Sequence, residues 1–202
     1  MLFRTAEDRE LVEHASAGDV EAYNVLVSRW EKKVYNYLLR LTGNRDDALD
    51  LAQEAFFKAY RSLAALDEAE KFPQWLFRIA HNLACSKFRD DGRRPRADTD
   101  SRPDDSESVE FPAAGVPVVL GAGPRFYPLE LELIVARALE ELSPEHREAI
   151  LLKVIYGFKF TEIAEILSCP VSTAKSRIYA ALEQLKRALG EDVAARAAFK
   201  QV

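Results

Sequence analysis

The chain has 202 residues, of which 48% are apolar and 30% charged, and its formal net charge is −5. This composition is typical of a soluble globular protein with one or two domains. It excludes a protein that binds polyanions over its whole surface, so any nucleic-acid contact has to come from local basic patches. The chain starts without the apolar core of a signal peptide, and Pro and Gly interrupt its longest apolar stretch. We therefore expect a cytoplasmic protein with no direct membrane insertion.

Cysteine and histidine usage predicts neither a disulfide framework nor a metal site. Cys85 and Cys169 are far apart and form no C-x-x-C pair, which favours a reducing compartment. The three histidines are equally scattered, so no zinc-ligand spacing is present. The sequence also lacks G-x-S-x-G, a P-loop and a glycine-rich dinucleotide turn, so we expect no enzyme activity and no cofactor.

The first part of the chain predicts four helices. A short one covers residues 7–17, and apolar residues at spacings of three and four then predict an amphipathic helix over residues 19–41. Asp19 is the expected N-cap of that helix, and Gly43 is its expected end. The next helix runs from about residue 46 to 63, and another opens at Pro73, a favoured first helical residue.

The C-terminal part repeats this pattern. Pro128 is expected to open a helix that ends near residue 142, and Ser143 is expected to cap the next one. Gly157 is the predicted end of that helix, and Thr161 the predicted cap of a short helix after it. No segment alternates with period two for long enough to predict a sheet, so the expected fold is all-α with two helical halves.

Residues 90–125 differ in character from both halves. The stretch "RDDGRRPRADTDSRPDDSESVE" has almost no apolar residues and predicts a linker. The next stretch, "FPAAGVPVVLGAGPRF", is unusually apolar for a linker. It is either a loosely packed connector or a segment that docks on a partner or between the halves.

The stretch "KFTEIAEILSCPVSTAKSRIY" predicts a helix-turn-helix, in which the second helix enters the DNA major groove with its N-terminus first. Ser172 and Thr173 would offer hydroxyls and backbone N–H groups to phosphate. Lys175 and Arg177 could reach phosphates or guanine edges. The alternative is an ordinary helical hairpin with a solvated basic end. We favour DNA binding because the packing residues and the basic helix entrance agree.

Two further faces could bind macromolecules. The outer stripe of the helix over residues 46–63 places Phe57 among acids, which favours a protein-binding surface, although a single exposed aromatic residue is common. In "KFPQWLFRIAHNLACSKFRDDGRR" the face opposite the core is expected to present an aromatic, an amide and several basic groups. Such a set suits single-stranded nucleic acid. Trp75 lies on the apolar face and is expected in the core.

These three segments, in this order, resemble the bacterial RNA polymerase sigma factors of the extracytoplasmic-function group. The resemblance implies a sigma region 2-like helical domain at residues 1–92 and a linker at 93–127. A sigma region 4-like helix-turn-helix domain would follow at 128–190, and a tail at 191–202. It implies an alternative sigma factor that binds core RNA polymerase and directs promoter-specific transcription initiation. The implied partners are the β′ and β subunits, promoter DNA and an anti-sigma protein, which the family commonly uses.

The resemblance also implies roles for individual residues. The D-x-x-D-L-x-Q-E helix would bind the polymerase β′ subunit through Asp47, Asp50, Leu51, Gln53, Glu54 and Phe57. The loop at residues 64–71 and the helix after it would capture flipped bases of the minus-ten element; the helix residues are Phe77, Arg78, His81, Asn82 and Lys87. The helix-turn-helix would read the minus-thirty-five element through Ser172, Thr173, Lys175, Ser176, Arg177 and Tyr179.

The sequence departs from the family pattern at three places. Ser168 stands in the turn where Gly is frequent, which we expect to be tolerated with a negative φ. Ala180 replaces a frequent basic residue, so duplex affinity is expected to be lower. The linker is longer and more apolar than usual.

Two other readings compete with this interpretation. A free-standing helix-turn-helix regulator should bind its operator alone, usually as a dimer on a palindrome. A sigma factor should instead be a monomer with little specific affinity until polymerase is added. The third reading, a nucleic-acid-modifying enzyme, lacks a metal or nucleophile cluster.

Overall fold

The structure is a computed structural model that describes residues 6–90, 135 and 137–199. In the first half of the chain α1 spans Asp8–Ser16, α2 Val20–Thr42, α3 Arg45–Ser62 and α4 Phe72–Asp90. Two short 3-10 turns, Leu63–Ala65 and Ala69–Lys71, connect α3 to α4. In the second half residues 137–140 are helical, followed by α5 Pro144–Val154, α6 Phe160–Ile166 and α7 Val171–Phe199. The described residues contain no strand, so the all-α prediction is confirmed.

Local capping explains where most helices begin and end. The Asp19 side chain accepts hydrogen bonds from the backbone N–H groups of Glu21 (2.9 Å) and Ala22 (3.1 Å), so this predicted N-cap is confirmed. Gly43 ends α2 in the left-handed conformation, with φ at 67°. Ser143 caps α5 by accepting from the N–H of His146 at 3.3 Å, and Pro144 occupies the first turn.

Three expected helix boundaries differ from the structure. The helix expected to open at Pro73 begins one residue earlier, at Phe72. Asn44 caps α3 and accepts from Asp46 N–H at 2.9 Å, so that helix also starts one residue early. Thr161 is not a cap, because the α6 N-cap is Lys159, whose N–H donates to the Glu162 carboxylate at 2.7 Å. The expected start at Pro128, the linker and the apolar stretch lie outside the described residues.

The first half buries a helical core built from α1 to α4. Its fully buried side chains include Leu11, Leu26, Leu38, Leu63, Leu76 and Phe72. Trp75 is only half-buried, although it packs against this core as predicted. The Tyr23 hydroxyl closes the α2–α3 contact by donating to the Phe56 carbonyl at 2.5 Å. This packing fixes the face that α3 turns outward.

Arg147 ties α5 to the helix that precedes it. Its guanidinium donates to the carbonyl oxygens of Leu139 (2.8 Å), Glu140 (2.7 Å) and Leu142 (3.1 Å). These carbonyls end a helix and have no partner within it, so a buried Arg side chain serves as their cap. Burial lowers the pKa of Arg147, and nearby Glu140 opposes this shift.

The two halves pack against each other through α4 and α6, and their buried residues form one continuous core. Phe77 of α4 lies at the centre of this contact. Its ring centroid is 5.0 Å from that of Tyr37, 4.8 Å from Tyr156 and 5.1 Å from Phe158. The second half therefore covers a face of α4 that the sequence pattern predicted to be open.

Candidate functional site

The outer stripe of α3 carries most of the predicted polymerase-binding residues. Asp50, Gln53 and Glu54 are exposed, and Phe57 is 59% exposed. The Arg61 guanidinium lies 5.6 Å from the centroid of the Phe57 ring, which is within cation–π range. An acidic stripe with one large exposed aromatic side chain is suited to contact a basic, partly apolar partner surface.

Two residues of the same predicted set point elsewhere. Leu51 is 6% exposed and belongs to the core, so it can position the stripe but not contact a partner in this arrangement. The Asp47 carboxylate pairs with the Lys87 ammonium at 3.1 Å. A groove of about 300 Å³ lies between α3 and α4 and is lined by Asp47, Asp50, Glu54 and Lys87, among others. The predicted polymerase and minus-ten residues thus meet along one groove.

The predicted minus-ten face of α4 is divided between surface and interior. Arg78 and Asn82 are exposed, whereas Phe77 is 0% exposed and His81 is buried. The expectation that Phe77 and His81 lie on an open face is wrong for this structure. The reason is tertiary, since Tyr156 and Phe158 of the second half pack against Phe77, and Glu148 lies against His81.

Glu148 of α5 anchors a buried polar cluster between the halves. It is 2% exposed, and its Oε1 atom accepts from the Tyr37 hydroxyl at 2.5 Å and lies 2.8 Å from His81 Nδ1. Cys85 Sγ is 3.4 Å from the other ring nitrogen of His81. A carboxylate removed from water has to be paired, and here both partners come from the first half.

The electrostatics of the cluster favour an ion pair. Burial lowers the pKa of His81, but the Glu148 charge and hydrogen bonds to Cys85 and Glu148 outweigh it and raise this pKa to about 10. Burial, followed by the Glu148 charge, raises the pKa of Tyr37 well above its usual value. At neutral pH these shifts favour a protonated His81 and a neutral Tyr37 beside Glu148.

Two polar contacts extend this cross-half interface. Gln74 Nε2 of α4 donates to the Glu165 carboxylate of α6 at 3.0 Å. Arg40 donates to the Tyr156 hydroxyl at 3.1 Å, and that hydroxyl donates to the Lys33 carbonyl at 3.3 Å. Burial raises the pKa of Tyr156 to about 12, with Arg40 opposing the shift. Directional bonds at several points define one relative position of the halves.

The predicted helix-turn-helix is present in α6 and α7. Ile163 and Ala164 of α6 are buried against Ala174 and Ile178 of α7, as the spacing predicted. The first turns of α7 expose Ser172, Lys175 and Ser176, whereas Leu185 further along the helix is partly buried against the core. This geometry places the start of α7 at the surface of the second half.

Ser168 adopts a positive φ of 51° in the turn between the two helices. The expectation of a negative φ is wrong. The turn closes through a hydrogen bond from the Cys169 N–H to the Ala164 carbonyl at 3.0 Å, one residue beyond Ser168. Such a closure requires a left-handed residue after the helix, which explains why Gly suits this position better.

The predicted minus-thirty-five residues are mostly accessible at the entrance of α7. Ser172, Lys175 and Ser176 are exposed, Tyr179 is exposed beside the Phe160 ring, and Thr173 is half-buried. Arg177 differs, since its guanidinium is held at 2.7 Å by the Glu145 carboxylate of α5. It can reach DNA only by exchanging that partner for a phosphate or a base.

Sequence reasoning missed the residues that join the halves: Tyr37, Gln74, Glu148 and Glu165. The only local signal was Glu148 itself, an acid directly before the apolar run "AILL". Within the described ranges no group of three or more His, Cys, Asp or Glu residues could hold a metal ion. The same part of the chain has no helix long and apolar enough to span a membrane.

Comparison with known proteins places both halves in one family. Residues 26–94 match the Sigma-70 region 2 model and residues 132–185 the Sigma-70, region 4 model. The RNA polymerase sigma-H factor of Pseudomonas aeruginosa is 35% identical over 185 residues, which cover 91% of this chain and 94% of the relative. The ECF RNA polymerase sigma-E factor of Haemophilus influenzae is 37% identical over 179 residues, or 89% of this chain and 93% of the relative.

A solved structure agrees with this assignment. CnrH, in complex with the cytosolic domain of CnrY, superposes with a TM-score of 0.62 at 26% identity, over 92% of this chain and 98% of CnrH. Two helical regions of the sigma-70 type, with a helix-turn-helix in the second, define a sigma factor that directs transcription initiation. The chain belongs to the extracytoplasmic-function group of these sigma factors.

Proposed function

We propose that this chain is an alternative sigma factor of the cytoplasm that docks on core RNA polymerase through α3 and reads two promoter elements through α4 and α7. The proposed domains are residues 1–92 and 128–190, with the linker 93–127 between them and the tail 191–202 after them. The protein contributes recognition and duplex opening and has no catalytic group of its own. The observation that carries the proposal is that two chemically different surfaces are accessible on one sigma-type fold: the acidic outer stripe of α3 and the basic, hydroxyl-rich start of α7.

The polymerase-docking surface is the outer stripe of α3. Asp50, Gln53, Glu54 and Phe57 are all exposed along it, and Lys58 extends from it in an ion pair of 3.0 Å with Glu54. Exposed acids suit a basic partner surface and provide long-range attraction, while the aromatic ring supplies the area that is desolvated on binding. The β′ subunit of core polymerase is the proposed partner.

The minus-thirty-five surface is the entrance of α7. Here hydroxyl groups, the Lys175 ammonium and the Tyr179 ring are accessible without any change in the structure. They can bind phosphates and fix the helix in the major groove, where base edges are read. With a net charge of −5 the whole chain repels DNA, so polymerase is needed for tight promoter binding.

The minus-ten surface is α4. Arg78 and Asn82 are accessible in the present arrangement and can contact the phosphate backbone and an unpaired base. Phe77 and His81 belong to the proposed set but become available only after α4 is uncovered. Anti-sigma proteins are a further proposed class of partner, and CnrH, the relative superposed above, was solved with a protein bound.

The test is binding of the purified full chain to core RNA polymerase, with and without promoter DNA. We expect a monomer that binds polymerase tightly and recognises promoter DNA only in the complex. Glu54→Lys should weaken polymerase binding by at least about tenfold because it reverses a charge in the proposed contact. Glu10→Lys, the same change at an exposed site on α1, is the matched control. Specific operator binding by a dimer of the chain alone would establish the regulator instead.

A further inference from the structure

The face of α4 that carries Phe77 and His81 is covered by the second half of the same chain. Phe77 is fully buried among aromatic rings, of which Tyr156 and Phe158 belong to the second half. His81 is buried one helical turn further along α4. Both residues belong to the proposed minus-ten surface, so a base could not reach them in this arrangement.

One carboxylate oxygen of the second half, Glu148 Oε1, contacts two side chains of the first half and holds the two halves together. Glu148 Oε1 of α5 accepts from the Tyr37 hydroxyl of α2 at 2.5 Å and pairs with His81 of α4 at 2.8 Å. All three residues are buried. In a low-dielectric interior these bonds are strong, and deleting one partner leaves a buried polar group unpaired. The contact therefore favours the closed arrangement strongly while it is complete and weakly once one partner is removed.

The closed arrangement is specific and is not a loose collapse of two apolar surfaces. Gln74 and Glu165 form a second hydrogen bond of 3.0 Å between α4 and α6, and Arg40 and Tyr156 form a third polar contact of 3.1 Å. The polar groups on both sides match in position. Directional contacts of this kind define one closed arrangement, and a switch requires an alternative arrangement in which they are broken.

We infer that the chain is autoinhibited: its second half closes over the minus-ten face of α4, Glu148 latches the closed state through Tyr37 and His81, and promoter reading requires the latch to open. This inference rests on the proposed function, because covering Phe77 and His81 inhibits the protein only if α4 reads the minus-ten element. The polymerase-docking stripe of α3 stays exposed in the closed state. Docking can therefore precede opening.

The latch is tested with two variants that break the same contact from opposite sides. Glu148→Gln removes the charge from the second half, and Tyr37→Phe removes the hydroxyl from the first half while keeping the ring. Glu183→Gln is the matched control, because it makes the same change at an exposed site on α7 of the second half. Circular dichroism establishes that each variant keeps its helix content.

The first measurement is the radius of gyration of the full chain by small-angle X-ray scattering. We expect both latch variants to shift the closed-to-open ratio by at least about tenfold and to expand, with the control unchanged. If Glu148→Gln and Tyr37→Phe both remain as compact as the unmodified chain, the latch is refuted. Equal expansion in the control also refutes it, because the effect would then be a general loss of stability.

The second measurement is binding to a fluorescent pool of random-sequence single-stranded DNA, which stands in for the opened promoter strand. The expanded variants should bind about tenfold more tightly than the unmodified chain, since stacking on one freed aromatic residue contributes on this scale. Expansion without a gain in DNA binding would support the Glu148 latch but overturn the assignment of Phe77 and His81 to the minus-ten surface. Failure of the inference and failure of the proposed function are therefore distinguishable.

Discussion

His81 Nδ1 and Glu148 Oε1 are 2.8 Å apart although the two residues lie 67 positions from each other and in different halves of the chain. Each is buried, so neither charge is stable without the other. The groups that face this pair are Tyr37 from α2, Cys85 from α4 and Cys169, whose thiol has a pKa raised by burial. Because pairing with Glu148 raises the pKa of His81 to about 10, the stability of the closed arrangement depends on pH.

The closed state should weaken as the pH rises from about 6.5 to about 10. His81 has a pKa of about 10 when paired and an ordinary value of 6.5 when solvated. A raised pKa in the closed state gives a stabilisation that is complete below pH 6.5 and is lost progressively towards pH 10. The check is the radius of gyration of the full chain across this range, with Glu148→Gln as a variant that should show a flat profile. Compaction with rising pH in the unmodified chain would contradict this sign.

Ser168→Gly should stabilise the second half by up to about 1 kcal/mol, because Gly adopts the positive φ at this turn without a Cβ penalty. Part of the gain is offset by the greater freedom of Gly in the unfolded chain. Urea unfolding at equilibrium measures the difference. Ser168→Val is the opposing variant, since a branched side chain in the left-handed region should destabilise the turn by more than 1 kcal/mol on the same rough scale.

Glu145→Gln should increase the affinity of the polymerase complex for promoter DNA about threefold, because it weakens the 2.7 Å contact that holds Arg177 away from phosphate. Arg177→Ala should lower promoter affinity about tenfold and leave polymerase affinity unchanged. Promoter filter binding and polymerase titration measure the two effects separately. Loss of helix content in Arg177→Ala would instead identify the ion pair as structural.

Phe57→Ser should weaken binding to core polymerase by about tenfold without loss of stability, since the ring is 59% exposed and contributes little to the core. Val20→Ser is the matched control, because Val20 is a comparably exposed apolar residue on α2. Fluorescence titration with core polymerase gives both affinities. Equal affinities for the two variants would remove Phe57 from the docking surface.

The local structure followed closely from the sequence. The caps at Asp19, Gly43 and Ser143 were predictable because capping needs only a side chain and a backbone a few residues apart. The helix-turn-helix was predictable for the same reason, since Ala164, Ala174 and Ile178 are spaced to pack across one tight turn. The wrong prediction that Thr161 caps α6 also has a local cause, because the Glu162 carboxylate accepts a hydrogen bond from the N–H of Lys159 and makes Lys159 the N-cap.

What the sequence alone determined about this protein was its set of helices, their apolar faces and the three motifs that define its family. Only the tertiary structure decided that Phe77 and His81 are covered and that Glu148 is buried. Periodicity reports which face of a helix is apolar, but it carries no information about which element covers that face. Glu148 can be buried only because Tyr37 and His81, distant in sequence, meet it in space and pair its charge.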